Sequence, residues 1–152
     1  MNLSAHVSPE LAFPDLESTD RYSILRTLAE KVAATGAVKD ADVLYTSLIE
    51  REELGSTAMG GGVAIPHCKL DGIDKVVIAV GTVPGGVDVD APDQEDARLF
   101  FLVVSPTDNP AEHLKCLATI SKWVRDSKNV ERVTSVHSSQ EICRCLASGD
   151  DT

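Results

Sequence analysis

The sequence predicts an α/β fold: a single three-layer α/β/α domain with a mixed sheet flanked by helices. Three observations predict it. Two runs, Lys75–Val83 and Arg98–Ser105, are nearly continuous in apolar residues, and such runs read as central strands that need cover on both faces. Segments with helical apolar spacing lie before and after these runs and supply that cover. No internal repeat or low-complexity linker divides the 152 residues, a length that suits one domain. Its core is expected over about residues 11–148.

The elements follow in order. Residues 1–19 carry Pro9 and Pro14 and little periodicity, but Leu11, Phe13 and Leu16 can pack as a short edge strand. Asp20 can cap a helix over 21–35, with Ile24, Leu25, Leu28 and Val32 on one face and Gly36 as the stop. Asp40 can cap a second helix to Glu53, with Val43, Leu44 and Leu48 inward and Gly55 at its end. Arg51 falls in its last turn, where a cation suits the helix dipole. Val63–Pro66 reads as a short strand that delivers His67 at its tip. Pro84-Gly85-Gly86 breaks the first central strand, and the alternation of Val87, Val89 and Ala91 reads as a separate edge strand. Asn109-Pro110 starts a helix to about Asp126, with Leu114, Leu117, Ile120, Ser121 and Val124 inward and proline at a suitable first position. A short helical piece over 129–136 follows. Ser138 and Glu141 form a capping box for the last helix.

Composition excludes several function classes. Net charge is −10, which argues against a nucleic-acid partner and against an anionic membrane surface. The N-terminus lacks the basic start and apolar run of a signal peptide, and no stretch approaches 18 apolar residues. Cys68, Cys116, Cys143 and Cys145 form no disulfide framework or CxxC motif. A cytoplasmic protein with reduced thiols is expected.

The chemistry gathers in the stretch 56–67. Ser56 and Thr57 supply hydroxyls, and Gly60, Gly61 and Gly62 supply backbone N–H groups that a ligand can approach closely; together they suit an anion. His67 beside such a cradle can serve as nucleophile, base or ligand. The glycines are followed by no Gly-Lys-Ser/Thr, so this is not a nucleotide P-loop. They precede a strand rather than open a helix, so it is not a dinucleotide fingerprint. No Gly-x-Ser-x-Gly elbow surrounds Ser56. His113 lies at the start of the helix after the second central strand, at a rim where strand ends and helix starts converge, and so can approach His67. His67-Cys68 with His113-x-x-Cys116 offers four zinc-type ligands, but adjacent residues of an extended segment point opposite ways, and Cys116 is spaced with Ile120 and Val124 as core. The acids Asp88, Asp90, Asp93, Glu95 and Asp96 lack the spacing of a calcium loop and read as a solvated edge.

Glu50-Arg51-Glu52-Glu53-Leu54-Gly55-Ser56-Thr57, followed by Gly60, Gly62, Ala64, Pro66 and His67, resembles the type-2 enzyme IIA domain of the bacterial phosphoenolpyruvate-dependent sugar phosphotransferase system, the fructose/mannitol and nitrogen-regulatory class. The resemblance continues through Asp90-Ala91-Pro92-Asp93, the strand Leu99–Val104, Ser105-Pro106, His113-Leu114 and Leu117-Ala118, and spans about Leu11 to Leu146. Ala58 and Cys68 depart from it, standing where the family usually has glycine. The resemblance implies a phosphotransferase that works without metal or cofactor. His67 would take a phosphoryl group from an HPr-type phosphocarrier. Arg51 would pair with the phosphate, His113 would be the second active-site histidine, and Ser56, Thr57 and the Gly60–Gly62 amides would surround it. The acceptor would be a IIB domain or a regulatory protein. Because the chain carries no transporter segment, the nitrogen-regulatory type is favoured over a fructose- or mannitol-specific component. A pure switch protein, or an anion- or zinc-binding module, is the alternative of another class.

Overall fold

The structure, a computed structural model, describes residues 2–18 and 20–150. Two short 3-10 turns, Leu3–His6 and Pro9–Leu11, lead into strand β1 (Ala12–Phe13). Helices α1 (Arg21–Ala34) and α2 (Ala41–Glu53) follow, then β2 (Ala58–Gly60), β3 (Val63–Ala64), β4 (His67–Leu70), β5 (Val77–Val87) and β6 (Ala97–Pro106). Three helices end the chain: α3 (Pro110–Val124), α4 (Ser127–Thr134) and α5 (Ser139–Asp150). Every α-helix start among the described residues is capped, the Ser138 hydroxyl accepting the Glu141 N–H at 3.1 Å for α5 as the capping box predicts. The carboxylates of Asp20, Asp40 and Asp126 and the amide oxygen of Asn109 each accept a first-turn N–H, satisfying donors that a helix leaves orphaned.

The sheet is mixed, in the order β1-β5-β6-β3-β2, with β4 pairing β6 beyond β3 on the same edge. β5 and β6 are antiparallel, in register from Val77 opposite Val104 to Thr82 opposite Leu99. β1 runs parallel to β5, and β3 and β4 run parallel to β6.

Alternation along β6 divides the interior. Phe100, Leu102 and Val104 face a core shared with Ile24, Leu28, Leu44 and Leu48 of α1 and α2. Leu99, Phe101 and Val103 face the other core, shared with Cys116, Ile120 and Trp123 of α3 and Ile142 and Leu146 of α5. Each such fully buried side chain contributes about 1.5–3 kcal/mol of transfer free energy. Three layers result, as the apolar runs predict. α1 packs so closely on β5 that a Cβ on Gly81 would lie 2.9 Å from Leu16 Cδ1 and 3.1 Å from Leu28 Cδ2, which explains a glycine inside a central strand.

Several local expectations need correction. The stretch 63–66 is not one strand with His67 at its tip. Pro66 has no N–H to offer a ladder, so the pairing lapses at Ile65–Pro66 and resumes with His67 as the first residue of β4. Pro84-Gly85-Gly86 does not end β5; the strand continues to Val87 through a register shift, and Asp88–Ala91 is not strand. Val87, Val89 and Ala91 are nonetheless all buried in the α1–α2 core. Val43 and Leu114, expected inward, are exposed. The inner stripe of α3 is His113, Cys116, Ile120 and Trp123 instead. Leu3 and Val7, which show no periodicity, are core residues.

Candidate active site

Three elements bring Arg51, His67 and His113 to one cleft of about 500 Å3, which is also lined by Leu54, Lys69 and Leu114. Arg51 comes from the last turn of α2. It donates from Nη1 to the Gly55 carbonyl at 2.9 Å, a bond that curls the side chain over the end of its own helix. No carboxylate among the described residues pairs with it.

His67 opens β4 opposite Val103 of β6. Its Nδ1 lies 2.7 Å from the Ile65 carbonyl oxygen. A carbonyl only accepts, so Nδ1 carries the proton and Nε2 keeps its lone pair. Burial holds this imidazole below its ordinary proton affinity. The Ile65 carbonyl opposes the shift, the Arg51 charge adds to it, and the Glu52 charge opposes it.

His113 sits on the inner face of α3, in the first turns after the Asn109 cap and Pro110. Its Nδ1 lies 2.6 Å from Oγ of Ser105, near the end of β6. The His67 and His113 rings are 5.5 Å apart. Burial first, then the neighbouring His67 and Lys69, lower the proton affinity of His113. Both rings therefore hold a proton less readily than a free imidazole, and the neutral His67 ring has a bare nitrogen in a cleft that Arg51 also lines.

Ser56, Thr57 and the three glycines do not line this cleft. The Ser56 hydroxyl donates to the Val89 carbonyl. Thr57 is buried, with its N–H 3.3 Å and its hydroxyl 2.9 Å from the Glu52 carboxylate. Gly60, Gly61 and Gly62 make the β2–β3 turn with φ of 84°, 65° and 83°, a left-handed path that needs glycine. The Gly61 N–H donates to Asp93 Oδ2 at 2.8 Å, and the Gly62 carbonyl accepts from Arg98 and Leu99. The Ser56 and Thr57 hydroxyls and the Gly61 N–H already have protein partners. Ala58 is an ordinary strand residue without positive φ, so a side chain there costs nothing.

Cys68 points away from His67 into the α1–α2 core, and burial pushes its thiol up to about 12. Cys116 lies in the opposite core. Among the described residues no group of three or more His, Cys, Asp or Glu side chains is arranged to hold a metal ion. No helix among them is long and apolar enough to cross a membrane. Sequence reasoning missed Glu52, Leu54, Lys69 and Ser105. The first had a readable signal, an acid in the last turn of a helix, where the dipole disfavours it.

The chain matches the family model described as phosphoenolpyruvate-dependent sugar phosphotransferase system, EIIA 2, over residues 5–149. A nitrogen regulatory protein of Bradyrhizobium diazoefficiens is 33% identical over 147 residues, 97% of this chain and 95% of that one. A fructose-specific EIIA component of Haloferax volcanii is 31% identical over 120 residues, 79% of this chain and 78% of that one. The crystal structure of the nitrogen regulatory protein IIA-Ntr from Neisseria meningitidis superposes with a TM-score of 0.87 at 24% identity, covering 95% of this chain and 98% of that one. The near-full-length match to the family model, together with a relative one-third identical from end to end, places the chain in the type-2 EIIA family of the phosphotransferase system.

Proposed function

We propose that this EIIA-type phosphocarrier carries its phosphoryl group on Nε2 of His67. The observation that supports the reading is the Nδ1–H bond to the Ile65 carbonyl, which leaves Nε2 as the nucleophilic nitrogen. In the transfer, the Nε2 lone pair attacks phosphorus on the phosphohistidine of an HPr-type carrier. The donor's P–N bond breaks, and its electron pair returns to the donor imidazole. His67 needs no general base, because the attacking nitrogen bears no proton. The product ring is positively charged, with Nδ1–H still held by Ile65. Transfer of this kind depends mostly on positioning and charge stabilisation. Arg51 exchanges its Gly55 carbonyl for the phosphoryl oxygens, and His113 donates from the side opposite Ser105.

The nitrogen-regulatory role is the favoured physiological reading, supported by the end-to-end likeness to the Bradyrhizobium protein. The likeness to the Haloferax fructose component supports sugar uptake as the second reading. The onward partner is a IIB domain in the second case and a regulatory target in the first. The test is labelling from phosphoenolpyruvate through the first enzyme and an HPr-type carrier, followed by a chase with IIB domains. Acid-labile label on the parent protein, absent from His67→Ala, is expected. Label retained by His67→Ala would defeat the reading, and rapid loss of label to a fructose IIB domain would favour sugar uptake.

A further inference from the structure

Glu52 is the only buried carboxylate among the described residues, at 7% exposure. Its position is unfavourable on two counts. Burial penalises the charge, and the last turn of α2 presents the negative end of the helix dipole. Arg21 offsets this only partly, with Nη1 3.8 Å from Oε1. The closer partners belong to Thr57, which meets Oε1 with its N–H and Oε2 with its hydroxyl.

The contact continues toward the nucleophile. The Thr57 carbonyl accepts from the Ile65 N–H at 3.1 Å. The Ile65 carbonyl then accepts from Nδ1 of His67 at 2.7 Å. Ile65 is thus pinned at both its N–H and its carbonyl. Pro66 offers no N–H but accepts from Val103 at 3.0 Å, so the two residues before His67 are held to the sheet. The direction of the Ile65 carbonyl sets which ring nitrogen is protonated, and Glu52 anchors the segment that sets that direction.

We propose that Glu52 is a positioning residue for phosphoryl transfer, acting through Thr57 and Ile65 to hold His67 in its Nδ1–H tautomer with Nε2 bare. This rests on the reading of His67 as the phosphoryl acceptor. Adjacent positions on α2 then have separate tasks: Arg51 faces the cleft, and Glu52 faces the loop that carries the nucleophile. Their charges act on His67 in opposite senses, Arg51 lowering and Glu52 raising its proton affinity.

The test uses the full chain labelled with 15N and needs no donor for its first reading. Ring-nitrogen resonances of the parent protein should report the Nδ1–H tautomer of His67. In folded Glu52→Ala the Nε2–H tautomer should become detectable, and labelling from a phosphorylated HPr-type carrier should slow about tenfold or more, as expected when a reacting atom is misplaced by a fraction of an ångström. Glu52→Gln can still accept from the Thr57 N–H and donate to its hydroxyl, so it should restore the parent tautomer and most of the rate. It removes a charge, however. Among the charged and titratable groups around His67 (Glu50, Arg51 and Glu52 from α2, His113 from α3, Lys69 from its own strand), a negative one that raises its proton affinity is lost, so the acid limb of the rate profile should move to lower pH. A merely structural glutamate would leave the tautomer unmoved in its folded variants, whereas the limb reports its charge. Thr57→Val, of nearly the same shape, carries the test should Glu52→Ala fail to fold. It gives up the hydroxyl bond and should show the same redistribution to a smaller extent. Parent-like ring spectra and rates in the folded variants would overturn the proposal. A parent protein that takes no label would instead overturn the acceptor reading, and with it the link to transfer, while the ring spectra still decide whether Glu52 sets the tautomer.

Discussion

The imidazoles of His67 and His113 lie 5.5 Å apart, centroid to centroid, with their planes tilted by 54°. Two rings this close, one buried and one half-buried, resist double protonation, and Arg51 adds to the resistance at His67. The rate of phosphoryl uptake should therefore be flat across neutral pH and fall only in acid, below the ordinary histidine value of about 6.5. Arg51→Gln removes an influence that lowers the His67 proton affinity, so its acid limb should lie at higher pH. It should also lose about 1.5–3 kcal/mol of charge-assisted bonding in the transition state, roughly ten- to hundredfold in rate. Stability follows the same sign. Both histidines have depressed affinities in the folded state, so their contribution is complete above about pH 6.5 and is lost as pH falls through the lowered values. Rate profiles and denaturation midpoints between pH 5 and 8 would check both, and a limb unmoved in Arg51→Gln would count against its place beside His67.

Ser105 supports the second ring from behind. It is fully buried on β6, and its hydroxyl lies 2.6 Å from Nδ1 of His113. Ser105→Ala leaves that nitrogen enclosed without a partner, at a cost of about 1–3 kcal/mol, or roughly 2–10 °C in Tm at this chain length. Labelling should slow less than in Arg51→Gln, because His113 remains present but loosely oriented. Calorimetry and initial labelling rates on one preparation would separate the two effects.

The layers were legible because they rest on periodicity that one sequence carries. Lys75–Val83 and Arg98–Ser105 announce central strands, and the β1 edge strand falls among Leu11, Phe13 and Leu16. What was not legible depends on partners distant in sequence. Nothing local shows that Asp93 closes the Gly60–Gly62 turn from thirty-two residues away, or that Val89 takes the Ser56 hydroxyl. The glycines therefore read as an anion cradle, whereas their φ angles and the Gly61 N–H serve a turn. Leu114 shows the same limit on α3. Its apolar side chain matches the helical stripe, but the stripe is set by His113 and Trp123, and Leu114 is left at the cleft rim.

That account of the turn makes its own prediction. Asp93 accepts from Gly61 and from Glu95, and these bonds hold its carboxyl below the usual range. Asp93→Ala should loosen the turn and raise its amide exchange, yet leave the labelling rate nearly unchanged, since neither Asp93 nor the three glycines line the cleft. The bonds to Asp93 should also weaken on acidification, because a depressed carboxyl contributes stability above its ordinary value and loses it as pH falls through the lowered one. A severe loss of labelling in Asp93→Ala would return the glycine amides to a direct role at the phosphate.

Leu54 and Leu114 line the cleft with the two histidines and are 84% and 66% exposed. Such exposure leaves both side chains open to contact with a protein that docks on the cleft. The minority of interface contacts that carry the binding energy cost more than about 1 kcal/mol each when removed, and they cluster near the interface centre. Leu114→Glu also places a carboxylate where the donor's phosphoryl group must arrive. Its Tm should stay within the range of an ordinary surface change, while KM for the phosphorylated carrier should rise about tenfold. Maximal transfer rate should change far less, because none of Arg51, His67 and His113 is altered. Leu54→Glu should behave alike, and the double variant should exceed either single one. Unchanged KM in both single variants would show that the carrier approaches His67 without covering these two leucines.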